Sequence, residues 1–460
     1  MHPTITSPED CDQALREHAL IDFVTRAVNA LPLLRAGALT WLLSAETPDA
    51  GWAEHFGVRT CSLEHQQGTR RDVRRSGIRA MQAALALPPR ARAAEFSRLL
   101  PASRSEVPRQ WASSVARGPE PAQACDDLKD KGRMRAWFRS RGVPVPAGDI
   151  VPAHSLDHGA LARKVGTPFV AQRPIGSGGD GTYLVRDDAD LHTARTCEPA
   201  VDRWLISEYV DGSTLNFHGL VDQAGSVGVT RPSLQLAGLS STGSEFGASC
   251  GSDFLAPQRF PPIAIERARI AVEHIGAGLA ERGYRGVFGI DLVVRGDSVA
   301  VLELNTRPQS STWLLGEIER EQGCAPLLAR HVLERHGRST SGDHDSTPAR
   351  GVQLGVRHVG PSSRVVTAPP SGVYALRGHR LVRRRAGFGL LDCSEDECVL
   401  VGLPPPGRTI ETSASLGTLV TRSAVTSEAG TVLNDHGARL TAAFRELFTL
   451  SAVEDEEITA

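Results

Sequence analysis

Apolar and polar positions along the chain fall into helix-like and strand-like registers that change several times. From about residue 14 to 120, Ala/Leu/Arg-rich helical spacing alternates with short apolar runs such as "LTWLLSA", Leu39 to Ala45, and predicts an α/β layer. Prolines and small residues in "RGPEPAQAC" end it. In "DDLKDKGRMRAWFRSRG", Leu128, Met134, Trp137 and Phe138 recur at helical spacing, so one helix is expected there, stopped by Gly142 and followed by the extended "VPVP". The runs "TPFVAQRP" and "GTYLVR" flank the glycine-rich "IGSGGDG" and predict a hairpin with a mobile tip.

Farther on, "RWLISEYVDG" is an apolar run closed by a turn, and "STLNFHGLVDQAGSVGVT" alternates as an antiparallel pair around Gly225. "IERARIAVEHIGAGLAERGY" sets Ala268, Val272, Ile275 and Leu279 on one helical face. It delivers the chain into "GVFGIDLVVRGDSVAVLELNTRPQ", two strand-like runs with carboxylates set into them. Residues 337 to 350 are polar, small and unpatterned, which reads as a linker or exposed loop. Beyond them, short strands with frequent Gly/Pro turns and a closing helix in "VLNDHGARLTAAFRELFTL" predict a small β-rich C-terminal domain.

Composition narrows the function classes. A chain of 460 residues, 40% hydrophobic and 23% charged, has room for several domains. A formal net charge of -2 argues against a partner held by counterion release, so neither nucleic acid nor an acidic membrane surface is expected. The eight cysteines form no CxxC pair, and Cys393 and Cys398 lack a matching ligand pair, so reduced thiols and no zinc site are expected. Neither a signal-peptide core nor an apolar run of spanning length occurs, which predicts a soluble, cytoplasmic protein.

The chemistry lies in the carboxylate-bearing strands. Alternation puts Glu303, Asn305 and Arg307 on one face, with Leu302, Leu304 and Thr306 on the other. The "RGDS" turn folds the two strands antiparallel and brings Asp291 near Glu303. Two carboxylates and an amide oxygen make a hard oxygen set suited to Mg²⁺, and such like charges repel unless a cation joins them. The plainer alternative is a wet polar face on which acids and Arg pair. "TRPSLQLAG" puts Arg231 and Gln235 on an expected strand, where Arg231 serves a γ-phosphate or carboxylate, or a surface salt bridge. Glycine-rich turns join many hairpins, and Lys131 alone reads as a solvated helix lysine.

Taken together, these motifs resemble the ATP-grasp superfamily, whose signature is an acid on one strand and E-x-N on the next. The resemblance extends to biotin carboxylase in the first acid twelve residues before the Glu and in E-x-N-x-R-x-Q, here Glu303, Asn305, Arg307 and Gln309. It implies that Asp291, Glu303 and Asn305 hold one or two Mg²⁺ ions bridging ATP phosphates. Arg307, Gln309 and Ser310 then face the reacting carboxylate, and Arg231 joins Arg307 as a catalytic candidate. Gly176, Ser177, Gly178, Gly179 and Gly181 correspond to the phosphate loop, and Lys131 reaches the phosphates from the helix start, eleven residues before Gly142. Arg173, or Gln172 if the register slips by one, stands where most members carry a phosphate-binding Lys. Glu208, Tyr209 and Val210 match the adenine hinge. The ribose acid falls near Thr214, which has no carboxylate, and Asp211 is the substitute.

The implied architecture is mixed α/β (α+β): an N-terminal Rossmann-like pre-ATP-grasp domain over 1–122, an ATP-grasp domain over 123–336 with its lid at about 150–212, and a β-rich tail over 351–460. The implied reaction is carboxylate activation by ATP through an acyl-phosphate, then capture by an amine, with small-molecule acid and amine substrates and a homodimer as the assembly the resemblance allows. Amino acids or small acids of a biosynthetic pathway, including peptide-bond formation in natural-product pathways, fit the stand-alone layout. Two alternatives stand beside it. One is a biotin-type carboxylase, against which "SSTWLL" follows Gln309. The other is a nucleotide-binding protein of the fold without turnover, favoured by the missing Lys and ribose acid.

Overall fold

The computed structural model describes residues 4–18, 20–67, 80, 125–176, 178–341, 349–428 and 430–453. The chain divides into two compact units, one of residues 1–120, 310–425 and 435–460 and the other of 121–309 and 426–434. In the first, β1 (Leu20–Val24), β2 (Leu39–Ser44) and β3 (Arg59–Ser62) form a parallel sheet. The apolar run at Leu39 is therefore a strand, buried because a parallel sheet is covered on its faces. The boundary expected in "RGPEPAQAC" falls almost wholly outside the described residues.

The second unit begins with two helical pieces. The run expected as one helix is a short 3-10 turn, Asp126–Lys129, and then an α-helix, Lys131–Ser140. Asp130 divides them because its carboxylate caps the α-helix, accepting from Gly132 N at 2.9 Å and Arg133 N at 3.0 Å. A four-stranded sheet follows in the order β4 (Gly148–Pro152), β7 (Arg203–Glu208), β5 (Phe169–Gln172), β6 (Thr182–Val185), all neighbours antiparallel. Phe169, Ala171, Val185, Trp204 and Ile206 form its own core with the helices His158–Val165 and Asp188–Cys197. The expected hairpin is β5–β6.

The larger sheet of this unit runs β13 (Ser298–Asn305), β12 (Gly286–Arg295), β8 (Ser213–Val221), β10 (Ser233–Ala237), β11 (Ser249–Asp253), with β9 (Val227–Val229) on β8. Strand β12, second in this order and paired on both edges with β8 and β13, is buried from Gly286 to Val294. Phe288 points at the 20-residue helix Pro262–Glu281, and glycines make the room: a Cβ on Gly276 would lie 2.9 Å from its ring, and one on Gly219 2.3 Å. That fixes the faces. Phe288, Ile290 and Leu292 turn to the helix, so Gly289 and Asp291 turn away from it.

The remainder of the first unit carries β14 (Val352–Arg357), β15 (Ser363–Thr367), β16 (Gly372–Arg377), β17 (Arg380–Arg385), β18 (Glu397–Val401), β19 (Thr409–Ile410), β20 (Ser415–Thr421) and β21 (Thr449–Ala452). They pair antiparallel as β14-β20-β18-β16-β17 and β19-β15-β21, and Asp435–Arg445 is the expected closing helix. Residues 342–348 of the expected linker lie outside the described residues. Helices Thr312–Glu321 and Leu327–Arg335, grouped by sequence with 123–336, belong to this first unit. Arg320 grips Asp12 with two bonds of 2.7 Å, and Arg408 pairs with Glu64, both side chains nearly buried. Early and late segments of the chain therefore share one set of buried ion pairs.

Candidate functional site

The site face of the larger sheet follows from register. Asp291 lies directly opposite Glu303 on β13 and Asn216 on β8, while Gly289 lies opposite Asn305 and His218. Directly paired residues share a face, so Glu303, Asp291 and Asn216 form a row, with Ser233, the partner of Asn216 on β10, continuing it. The β12–β13 turn is two residues, Gly296 and Asp297, with Gly296 at φ +58. The pairing places both carboxylates as the alternation predicts, with a one-residue bulge at Leu302.

Asp291 is buried, and both of its oxygens are engaged. Oδ1 accepts from Asn216 Nδ2 at 2.5 Å and Gln309 Nε2 at 3.4 Å, and Oδ2 accepts from Asn305 Nδ2 at 3.4 Å. Burial first, and the charge of Glu303 second, push its carboxyl up to about 7 against the pull of Asn216, Arg307 and Gln309. A cation between the two acids would offset both the buried charge and the repulsion, so the donor set fits a hard divalent ion. Among the described residues no cluster of three or more His, Cys, Asp or Glu could hold a metal. Asp291, Glu303 and the Asn305 amide are the oxygen groups that could hold such an ion here, a set that leaves positions for phosphate oxygens.

Lys131 faces this pair from the helix start. Its Nζ donates to Glu303 Oε1 at 2.9 Å and to the Gly176 carbonyl at 3.0 Å, while its own N–H donates to the Pro174 carbonyl at 2.8 Å. Its side chain is 7% exposed, so the solvated-lysine alternative does not describe it. One turn on, Arg135 is buried and its Nε donates to the Leu302 carbonyl at 3.3 Å. Burial, aided by Arg139, lowers its guanidinium to about 10, against the pull of Glu303. The spacing from Lys131 was the sequence signal that could have found it.

The glycine loop is shaped by its own side chains. Arg173 pairs with Asp180 at 2.8 Å and Glu198 at 3.2 Å. A Cβ on Gly181 would lie 2.1 Å from Arg173 Nε, and one on Gly179 would lie 2.1 Å from the Gly247 carbonyl oxygen. Gly176 gives its carbonyl to Lys131, Gly178 has φ +66, and Ser177 lies outside the described residues. The structure thus holds the Arg173 guanidinium between two carboxylates of the smaller sheet's unit.

At the hinge, Glu208 ends β7 and is tied to Ala147, accepting its N–H at 2.8 Å and donating its own N–H to the Ala147 carbonyl at 2.8 Å. Tyr209 is exposed with its ring 6.3 Å from that of Phe246, Val210 is half-buried, and Asp211 is exposed. Two residues expected on strands lie outside them. Arg231 and Pro232 precede β10, since proline cannot donate to the ladder, so Gln235 is in the strand and Arg231 is not. β13 ends at Asn305, so Arg307 lies past the strand, exposed, donating to the Pro308 carbonyl at 3.2 Å. Gln309 packs over Gly289, where a Cβ would meet its amide at 2.0 Å, and is drawn to Asp291. Ser310 falls in the other unit, where its carbonyl accepts from Gln353 at 3.2 Å.

All eight cysteines are free thiols, and among the described residues no helix is long and apolar enough to cross a membrane.

Residues 128–311 match the family model described as the ATP-grasp domain. Formate-dependent phosphoribosylglycinamide formyltransferase of Burkholderia pseudomallei is 30% identical over 204 residues, 41% of this chain and 46% of that protein. The chain thus spans less than half the length of the curated relatives it matches. Among solved structures, the biotin carboxylase domain of 2-oxoglutarate carboxylase from Hydrogenobacter thermophilus superposes at a TM-score of 0.57 with 14% identity, covering 94% of this chain and 91% of that one. N5-carboxyaminoimidazole ribonucleotide synthetase from Thermotoga maritima reaches 0.50 with 12% identity, covering 94% and 99%. These likenesses show a mixed α/β chain with the ATP-grasp fold.

Proposed function

Since residues 128–311 are an ATP-grasp domain, we propose that the protein is an ATP-dependent carboxylate–amine ligase working through an acyl-phosphate. A substrate carboxylate oxygen attacks the γ-phosphorus of ATP as the bond to the β–γ bridging oxygen breaks, giving acyl-phosphate and ADP. An amine then attacks the acyl carbon, phosphate leaves, and the nitrogen loses a proton. The observation that carries this reading is the buried Asp291 set opposite Glu303, with Asn305 beside it and Lys131 bonded to Glu303 at 2.9 Å. One or two Mg²⁺ ions held by these three oxygen ligands supply neutralisation of the charge spreading over the transferring phosphoryl group.

The chain's own residues do the rest. Lys131 adds a positive charge between the glycine loop and the acids, and the glycine backbone from Gly176 to Gly181 covers the phosphates. The backbone of Glu208 to Val210 takes the adenine edge, and Asp211 the ribose. Arg307, exposed at the strand's end, meets the acid, with Arg231 and Gln309 of the same unit lining its side. The relative named for formate dependence points to a small carboxylic acid as substrate, and amino acids belong to the same class.

The test is ADP release with Mg²⁺ and ATP across small acids and amino acids paired with amines, including a bicarbonate-plus-biotin arm. Acid-dependent ADP is expected, falling by about 100-fold or more in Glu303→Gln. No acid-dependent ADP with any pair would sink the ligase reading. Full turnover by Glu303→Gln would remove the ion assignment.

A further inference from the structure

A carboxylate that binds an ion must present one chosen oxygen, yet its terminal torsion is soft. Something has to hold the other oxygen. At Asp291 that work falls to an amide on the neighbouring strand. Asn216 is 4% exposed in the middle of β8, in direct register with Asp291, and its Nδ2 donates to Oδ1 at 2.5 Å. Its neighbours Leu215 and Phe217 are buried on the opposite face and anchor the backbone from which the amide projects. With Oδ1 so held, Oδ2 lies toward Asn305, whose Nδ2 approaches it at 3.4 Å.

We infer that Asn216 is a positioning residue: its amide fixes Oδ1 of Asp291 and so turns Oδ2 toward Glu303 and Asn305, where the divalent ion is bound. This rests on the reading of Asp291 as an ion ligand. Residue chemistry at the position suits the task. A carboxylate there would repel Asp291, and an ammonium would satisfy its charge and compete with the ion. An amide offers a donor with no net charge, so it orients the ligand and leaves its affinity for a cation intact. Ser233, the β10 partner of Asn216, adds a further buried hydroxyl in the same row.

The test uses the full chain with Mn²⁺ in place of Mg²⁺ and a non-hydrolysable ATP analogue, reading bound Mn²⁺ by electron paramagnetic resonance and metal-free nucleotide affinity by calorimetry. Asn216→Leu keeps the branched side chain of the same heavy-atom count and removes the donor. It is expected to weaken Mn²⁺ binding by about 10- to 100-fold, to leave metal-free nucleotide affinity within about twofold, and to add nothing when combined with Asp291→Asn. If Asp291→Asn loses the ion while Asn216→Leu keeps full affinity, the positioning role is refuted and the ligand reading stands. If Asp291→Asn binds Mn²⁺ normally, the ligand reading fails and takes this inference with it. Equal loss of metal-free nucleotide binding in Asn216→Leu would mean general damage to the sheet and would also overturn the role. Should circular dichroism show that Asn216→Leu does not fold, Asn216→Ser carries the same comparison.

Discussion

His218 offers a sharp test of how dry the site face is. It lies on β8 two residues from Asn216, opposite Gly289, with no surface exposed. Burial alone lowers its imidazole from 6.5 to about 3. In this window the unfolded chain binds a proton that the folded chain refuses, so the histidine's contribution is present above pH 6.5 and is lost as pH falls toward 3. Each pH unit in that range is worth about 1.4 kcal/mol. Acidification from about pH 7 to 5 therefore costs about 2 kcal/mol, because the unfolded imidazole begins to titrate near the top of the interval. Other groups titrate as well, so the measurement is a difference. Urea unfolding of the wild type and of His218→Gln, followed by hydrogen exchange at the amides of β8 and β12, is compared between pH 7 and 5. The substitution's constant cost cancels, and the wild type is expected to lose about 2 kcal/mol more than the variant. Equal acid losses would show that burial does not keep the imidazole neutral and that the face is not dry.

Gly289→Ala puts a methyl 2.0 Å from the Gln309 amide, which must leave Asp291. The protein should fold, and acid-dependent ADP release should fall about 5- to 10-fold; unchanged turnover would show that Gln309 is not used at Asp291. In the other unit, Arg408→Ala strands the buried Glu64 carboxylate and should cost about 3–5 kcal/mol in urea unfolding, a loss that Glu64→Gln in the same chain should partly restore.

The strands that carry Asp291 and Glu303 were legible because a two-residue turn sets their register locally, and alternation then assigns faces. The helix-start lysine was legible for a similar reason: Asp130, Lys131 and Gly142 are local signals. Asn216 was not. Its importance comes from pairing with a strand 75 residues later, and nothing within "STLNFHGLV" says which face meets an acid. Alternation continues through Thr306 and so places Arg307 on the strand, but hydrogen bonding stops at Asn305. The helix break at Asp130 leaves no mark in the apolar spacing, which runs across it from Leu128 to Met134. The tail and the first sheet each showed their strands, but long-range ion pairs such as Arg320 with Asp12 leave no periodic trace.

Lys131 is fastened to the glycine loop twice, by its backbone to Pro174 and by its ammonium to Gly176, while the same ammonium holds Glu303. Recombination of such chains has to respect this. A chimera that imports residues 174–181 alone would carry a loop cut to another enzyme's lysine, and it would reset an acid on a strand it never touched. The exchangeable cassette is the loop together with the start of the helix at Lys131 and the end of β13, three segments far apart in sequence that have to be exchanged as one.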